Sequence, residues 1–93
     1  YHVTVAMDGR EGLRIAQQDQ PELIITDYMM PRMTGLELIA QLRDAGFERP
    51  IILATSIPEE GLPERPRYDA YISKPYREAE LLALIARVIP VES

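Results

Sequence analysis

Ninety-three residues with 15 acidic and 10 basic side chains suffice for one small domain and are too few for two, so residues 1–93 are expected to form a single domain. The net charge of −5 excludes the basic surface that nonspecific nucleic-acid binding needs, and the arginines, scattered from Arg10 to Arg87, form no stripe. The absence of cysteine rules out disulfides and thiolate metal sites, and no apolar run approaches the roughly 18 residues of a membrane span, so a soluble cytoplasmic protein is expected.

Strand and helix signals alternate along the chain. Residues 2–7 (HVTVAM) are β-branched and apolar and predict a strand ending at Asp8-Gly9, a turn or helix-cap pair. Residues 12–18 place Leu13 and Ala16 on one side of a helix that stops near Pro21. Residues 22–26 (ELIIT) form a short apolar run, as expected for a strand buried on both faces. Residues 35–45 predict a second helix, with Leu36, Ile39 and Ala40 inward and Glu37, Gln41 and Arg43 outward, stopped by Gly46. Residues 50–55 (PIILAT) and 68–73 (YDAYIS) predict two further strands. In residues 77–89, Leu81, Leu84, Ile85 and Val88 recur at helical spacing. A second stripe, Leu82, Ala86 and Ile89, either completes the core or forms an exposed dimer face.

This βα alternation implies a parallel sheet covered by helices on both faces. Residues 56–67 hold Pro58, Pro63 and Pro66, so a full helix between the last two strands is not expected there. The chain opens at Tyr1 and runs at once into a strand-like segment, as a piece of a longer polypeptide would.

In an open parallel sheet, ligands bind beyond the carboxyl ends of the strands. Asp27 ends one strand, Thr55 and Ser56 end the next, and Lys74-Pro75 ends the last. An acid, a hydroxyl and an ammonium group at one edge suit phosphate chemistry. A carboxylate can attack phosphorus to give an acyl phosphate, while the other two bind the oxygens that carry transition-state charge.

The run Asp27-Tyr28-Met29-Met30-Pro31-Arg32-Met33-Thr34-Gly35 resembles the D-x-x-M-P-x-M-x-G loop of response regulator receiver domains. Ala54-Thr55-Ser56 and Tyr71-Ile72-Ser73-Lys74-Pro75 complete that resemblance in the same order, over essentially the whole chain. It implies a flavodoxin-like, doubly wound parallel sheet and a signalling switch rather than an enzyme. It also implies Asp27 as the acceptor of a phosphoryl group from a histidine kinase or a histidine phosphotransfer protein. Lys74 would pair with the phosphoryl oxygens, and Thr55 would move to meet them with the ring of Tyr71 following. Mg²⁺ is the implied cofactor, with Asp27 and the backbone carbonyl of Met29 among its ligands. The Lys74-Pro75 peptide matches one that is usually cis. Gly61-Leu62-Pro63, on a shortened path to Lys74, resembles a receiver subclass whose fourth helix is reduced.

Against that pattern the first strand and helix are absent from the chain, and with them the adjacent acids that hold Mg²⁺. The missing strand would lie beside the segment 2–7, which is therefore expected to lose a neighbour and expose unpaired backbone. Three explanations are open: the upstream residues lie outside the sequence, a second copy in a homodimer or another chain fills the gap by strand exchange, or the receiver is truncated. In the last case the chain would be a non-phosphorylated interaction module. Asp8, the only other acid near a strand end, fits a helix cap better than a metal ligand. Met29, Met30 and Met33 are expected to fill gaps in the loop, and His2 to do nothing.

Overall fold

A computed structural model describes residues 3–29, 33–61 and 68–89. The elements are β1 (Val3–Ala6), α1 (Gly9–Gln18), β2 (Leu23–Asp27), α2 (Gly35–Asp44), β3 (Ile51–Thr55), a 3₁₀ turn (Glu59–Gly61), β4 (Ala70–Ser73) and α3 (Glu78–Val88). All strand pairs are parallel, in the order β1-β2-β3-β4.

The sheet is sandwiched between two apolar layers. Ile24, Ile51 and Leu53 point toward α1 and α2, where they meet Leu38, Ile39 and Leu42. Leu23, Ile25, Ile52, Ala54 and Ile72 point the other way, toward Ile85 and Ile89. Strands β2 and β3 contribute apolar side chains to both layers, which is why their sequences are continuous apolar runs rather than alternating ones. The doubly wound parallel architecture expected from the βα alternation is therefore the one formed.

One expectation is corrected in the sheet. The first strand has no vacant neighbour, because Val3, Thr4, Val5 and Ala6 pair in register with Leu23, Ile24, Ile25 and Thr26. Backbone groups that would be costly to leave unpaired are satisfied by β2 instead.

Helix boundaries follow local chemistry. α1 starts at Gly9, earlier than the apolar pattern suggests, because Asp8 caps it by accepting a hydrogen bond from the Arg10 N–H at 2.8 Å. α2 begins with a reciprocal box in which Thr34 Oγ1 accepts from the Glu37 N–H and Glu37 Oε1 accepts from the Thr34 N–H, both at 3.2 Å. It ends at Asp44, and the chain turns away at Gly46, whose φ of +93° only glycine adopts without strain, with Gly46 N–H on Arg43 O and Phe47 N–H on Leu42 O. Between β3 and β4 the described residues hold only the short 3₁₀ turn, while Pro63 and Pro66 fall outside them.

The inward face of α2 also needs correction. Leu38, Ile39 and Leu42 are buried, Leu36 is partly so, and Ala40 is exposed. Arg43 does not face outward either. Its guanidinium donates to the carbonyls of Phe47 and Arg49, each at 2.9 Å, and to Asp69 Oδ2 at 2.7 Å. The same Asp69 oxygen accepts from the Ile51 N–H at 2.9 Å, so one cation and one carboxylate tie the end of α2 to the starts of β3 and β4. The second stripe of α3 divides, with Ile89 buried and Leu82 and Ala86 exposed.

Truncating Arg43 removes the guanidinium donor from two carbonyls and leaves Asp69 with the Ile51 N–H, at a partly wet edge. Arg43→Ala should lower unfolding free energy by about 1–2 kcal/mol, read as a lower urea midpoint with an unchanged slope.

Candidate functional site

Each residue at the carboxyl edge is delivered by a strand end. Ile25 and Ala54 turn toward the α3 side, and Asp27, two residues beyond Ile25, lines a cavity on that side with Lys74. The Lys74 ammonium is ion-paired with Asp27 Oδ2, and the Tyr28 N–H donates to Asp27 Oδ1 at 2.7 Å. Both carboxylate oxygens therefore hold a donor, with the acid 34% and the lysine 43% exposed, open enough for a reactant to reach. Lys74 is fixed at its backbone by its N–H on the Thr55 carbonyl at 2.9 Å, and its peptide with Pro75 is cis.

The loop after Asp27 folds back tightly. The Gly35 N–H donates to Tyr28 O at 2.7 Å, and Met29 bridges to Thr34. A Cβ on Gly35 would stand 2.1 Å from the carbonyl oxygen of Asp27, so only glycine lets α2 start this close to the acid. Met30, Pro31 and Arg32, the middle of the loop motif, lie outside the described residues.

Thr55 and Tyr71 form a second cluster rather than joining the first. Thr55 is buried, and its Oγ1 accepts from the Ile57 N–H at 3.2 Å. The Tyr71 hydroxyl donates to the Ile57 carbonyl. Tyr71 packs with the α2-side layer, whereas Asp27 and Lys74 share the cavity on the α3 side. The five residues singled out from the sequence thus gather at one sheet edge as two pairs, with Met29 on the rim.

Three features were not legible in advance. The peptide of Ile57 joins Thr55 to Tyr71 and carries no side-chain signature. The Arg43–Asp69 tie depends on folding across 26 residues. Met7 follows directly on the Ala6–Thr26 pair, so it stands alongside Asp27 and lines the same cavity, of about 140 Å³. A larger groove of about 470 Å³ lies at the opposite end of the sheet, floored by Leu13, Leu42 and Phe47, away from this chemistry.

Magnesium requires near-octahedral oxygen ligation, with carboxylate among the donors. Asp8 caps α1 and Glu37 caps α2. No group of three or more His, Cys, Asp or Glu able to hold a metal occurs among the described residues. Asp27, engaged with Lys74, and the carbonyl of Met29 do not by themselves make a magnesium site.

With this geometry in place, relatives are informative. Residues 1–86 match the family profile described as response regulator receiver domain. Response regulator MprA of Mycolicibacterium vanbaalenii is 39% identical over 97 residues, covering 97% of this chain and 42% of its own length. Hybrid signal transduction histidine kinase D of Dictyostelium discoideum is 37% identical, covering 99% of this chain and 6% of its own length. The chain thus spans well under half of these curated relatives. Among solved structures, the receiver domain of sensor histidine kinase PA1611 from Pseudomonas aeruginosa superposes with a TM-score of 0.83 at 29% identity. The match covers 96% of this chain and 77% of that one, which has a magnesium ion coordinated in its active site cleft. No helix among the described residues is long and apolar enough to cross a membrane.

Adding a methyl group at position 35 must push α2 away from the end of β2. Gly35→Ala should destabilise the fold by about 2 kcal/mol or more and shift the Tyr28 and Asp27 amide resonances more than those of α3.

Proposed function

The chain belongs to the response regulator receiver domain family, and from that premise we infer that Asp27 is its phosphoryl acceptor, loaded from a phosphohistidine on a histidine kinase or a phosphotransfer protein. The observation that carries this reading is the ion pair between the Asp27 carboxylate and Lys74 at the open edge of the sheet. In the transfer, a carboxylate oxygen of Asp27 attacks phosphorus, the P–N bond to imidazole breaks, and the imidazole leaves with the electron pair and takes up a proton. Lys74, already within reach of the carboxylate, moves its charge onto the phosphoryl oxygens as they become more negative.

The modified side chain then carries about two negative charges where it had one. Thr55 supplies the hydroxyl for that new charge. Its oxygen accepts from Ile57, and its own proton remains for donation. Turning it toward Asp27 gives up the contact with Ile57, whose carbonyl is held by Tyr71. Phosphorylation therefore reshapes the segment after β3 and the neighbouring edge strand β4, a protein-interaction surface biased between two arrangements.

The donor set around Asp27 favours a second reading. With no cluster of acids around Asp27 among the described residues, the chain can also act as a receiver-like interaction module that is never phosphorylated. The Leu82 and Ala86 face of α3, exposed in this fold, offers such a module or a homodimer an apolar contact.

Incubation with a phosphohistidine donor separates the two. The acceptor reading expects a hydroxylamine-labile label that Asp27→Asn abolishes, and a rate lowered on the order of 10²-fold by Lys74→Ala. A wild-type chain that stays unlabelled, or a label that survives Asp27→Asn, would leave only the interaction module.

A further inference from the structure

Among the described residues, two polar side chains are buried in the core, Thr26 and Thr55. Thr55 Oγ1 is engaged with Ile57, whereas Thr26 reaches the acceptor itself. Thr26 is completely inaccessible, and it interrupts the apolar run of residues 23–25 one position before Asp27. A hydroxyl in such a place is costly unless it is hydrogen-bonded. Thr26 Oγ1 donates to the carbonyl oxygen of Asp27 at 3.0 Å.

That carbonyl belongs to the peptide unit joining Asp27 to Tyr28. The N–H of the same unit is the one that donates to Asp27 Oδ1 at 2.7 Å. A peptide unit is planar and rigid, so its two ends turn together. The start of α2 closes over the same carbonyl, where Gly35 leaves no room even for a Cβ. Packing of β2 decides where Asp27 stands, but not how its carboxylate turns. With Oδ1 tied to the amide, Oδ2 is turned to the Lys74 ammonium in the cavity. The two oxygens are inequivalent before any reactant arrives.

We infer that Thr26 is a positioning residue for the acceptor: its hydroxyl locks the Asp27–Tyr28 peptide plane, and through that plane holds the carboxylate with Oδ2 facing the phosphoryl donor. Thr26 itself touches no reactant. By strand alternation it faces the side of α1 and α2, as Ile24 does, and the cavity lies on the other side. Its contribution is orientation, since a carboxylate already turned to the open edge need not be ordered when the donor docks. The inference rests on Asp27 as the acceptor for its meaning in phosphoryl transfer, yet the lever is a property of the unmodified chain.

Thr26→Val keeps the volume and β-branching of the side chain and removes the donor, whereas Thr26→Ser keeps the donor. The Tyr28 amide proton, drawn downfield by its carboxylate partner, should move upfield in Thr26→Val toward its position in Asp27→Ala. Thr26→Ser should restore the native shift. Phosphoramidate, a small donor with a P–N bond, should label Thr26→Val roughly tenfold more slowly than the native chain, and Thr26→Ser at close to the native rate. A Tyr28 amide that stays in its native position in folded Thr26→Val, or moves equally far in Thr26→Ser, would overturn the inference. So would labelling of Thr26→Val at the native rate. Should Thr26→Val lose the native dispersion of its β2 and β3 amides, Thr26→Cys, with a weak thiol donor, takes its place under the same criteria. A native chain left unlabelled by phosphoramidate counts against the acceptor reading alone, because the Tyr28 shift is read without any donor.

Discussion

Everything at the functional edge depends on two strands that have no exposed apolar side chain. Leu23, Ile24, Ile51, Ile52 and Leu53 are completely inaccessible, and they alternate between the two layers of the core. A slip of one residue in either strand would exchange these sets between layers that are packed against different helices. The register is therefore fixed by packing on both sides at once. Asp27 and Thr55, the last residues of β2 and β3, inherit their positions from that constraint rather than from contacts of their own.

The partition of the edge into two pairs follows from the same pleat. Asp27 and Lys74 extend from residues that face α3, whereas Tyr71 packs with the layer under α1 and α2. Charge and hydroxyl chemistry are thereby held on opposite sides of a sheet only one strand thick. The acid–ammonium pair lies partly exposed at the edge, and the threonine hydroxyl accepts from the Ile57 N–H on the other side. Peripheral ties support the arrangement from below. Arg43 and Asp69 anchor the start of β4 to β3, at the far end of the strand that delivers Lys74.

Much of this is legible in the amino-acid order. Apolar runs at Leu23–Thr26 and Ile51–Thr55 identify strands buried on both faces, Asp8 and Gly46 mark where helices start and stop, and the loop motif singles out Asp27. What escaped was set by partners distant in sequence. Arg43 reads as a surface cation on a helix, and only the approach of Asp69 and two loop carbonyls draws it inward. Leu38 and Leu42 carry the burial first assigned to Ala40, because the helix rotates to bring its largest side chains onto the sheet. The pairing of β1 with β2 was hidden for a different reason. Nothing in the two segments themselves signals that residues 3–6 pair directly with residues 23–26.

The peptide of Ile57 has a thermodynamic meaning of its own. Its N–H is held by Thr55 and its C=O by Tyr71, so two side chains from different strands grip one rigid planar unit. Rotating that plane to suit one partner changes the angle offered to the other. The two hydrogen bonds therefore share a coupling free energy, and reciprocity requires that whatever biases the tyrosine biases the threonine equally. A protein bound against Tyr71 and a charge placed near Thr55 would then each alter the affinity for the other by the same factor, with a single amide plane as the lever between them.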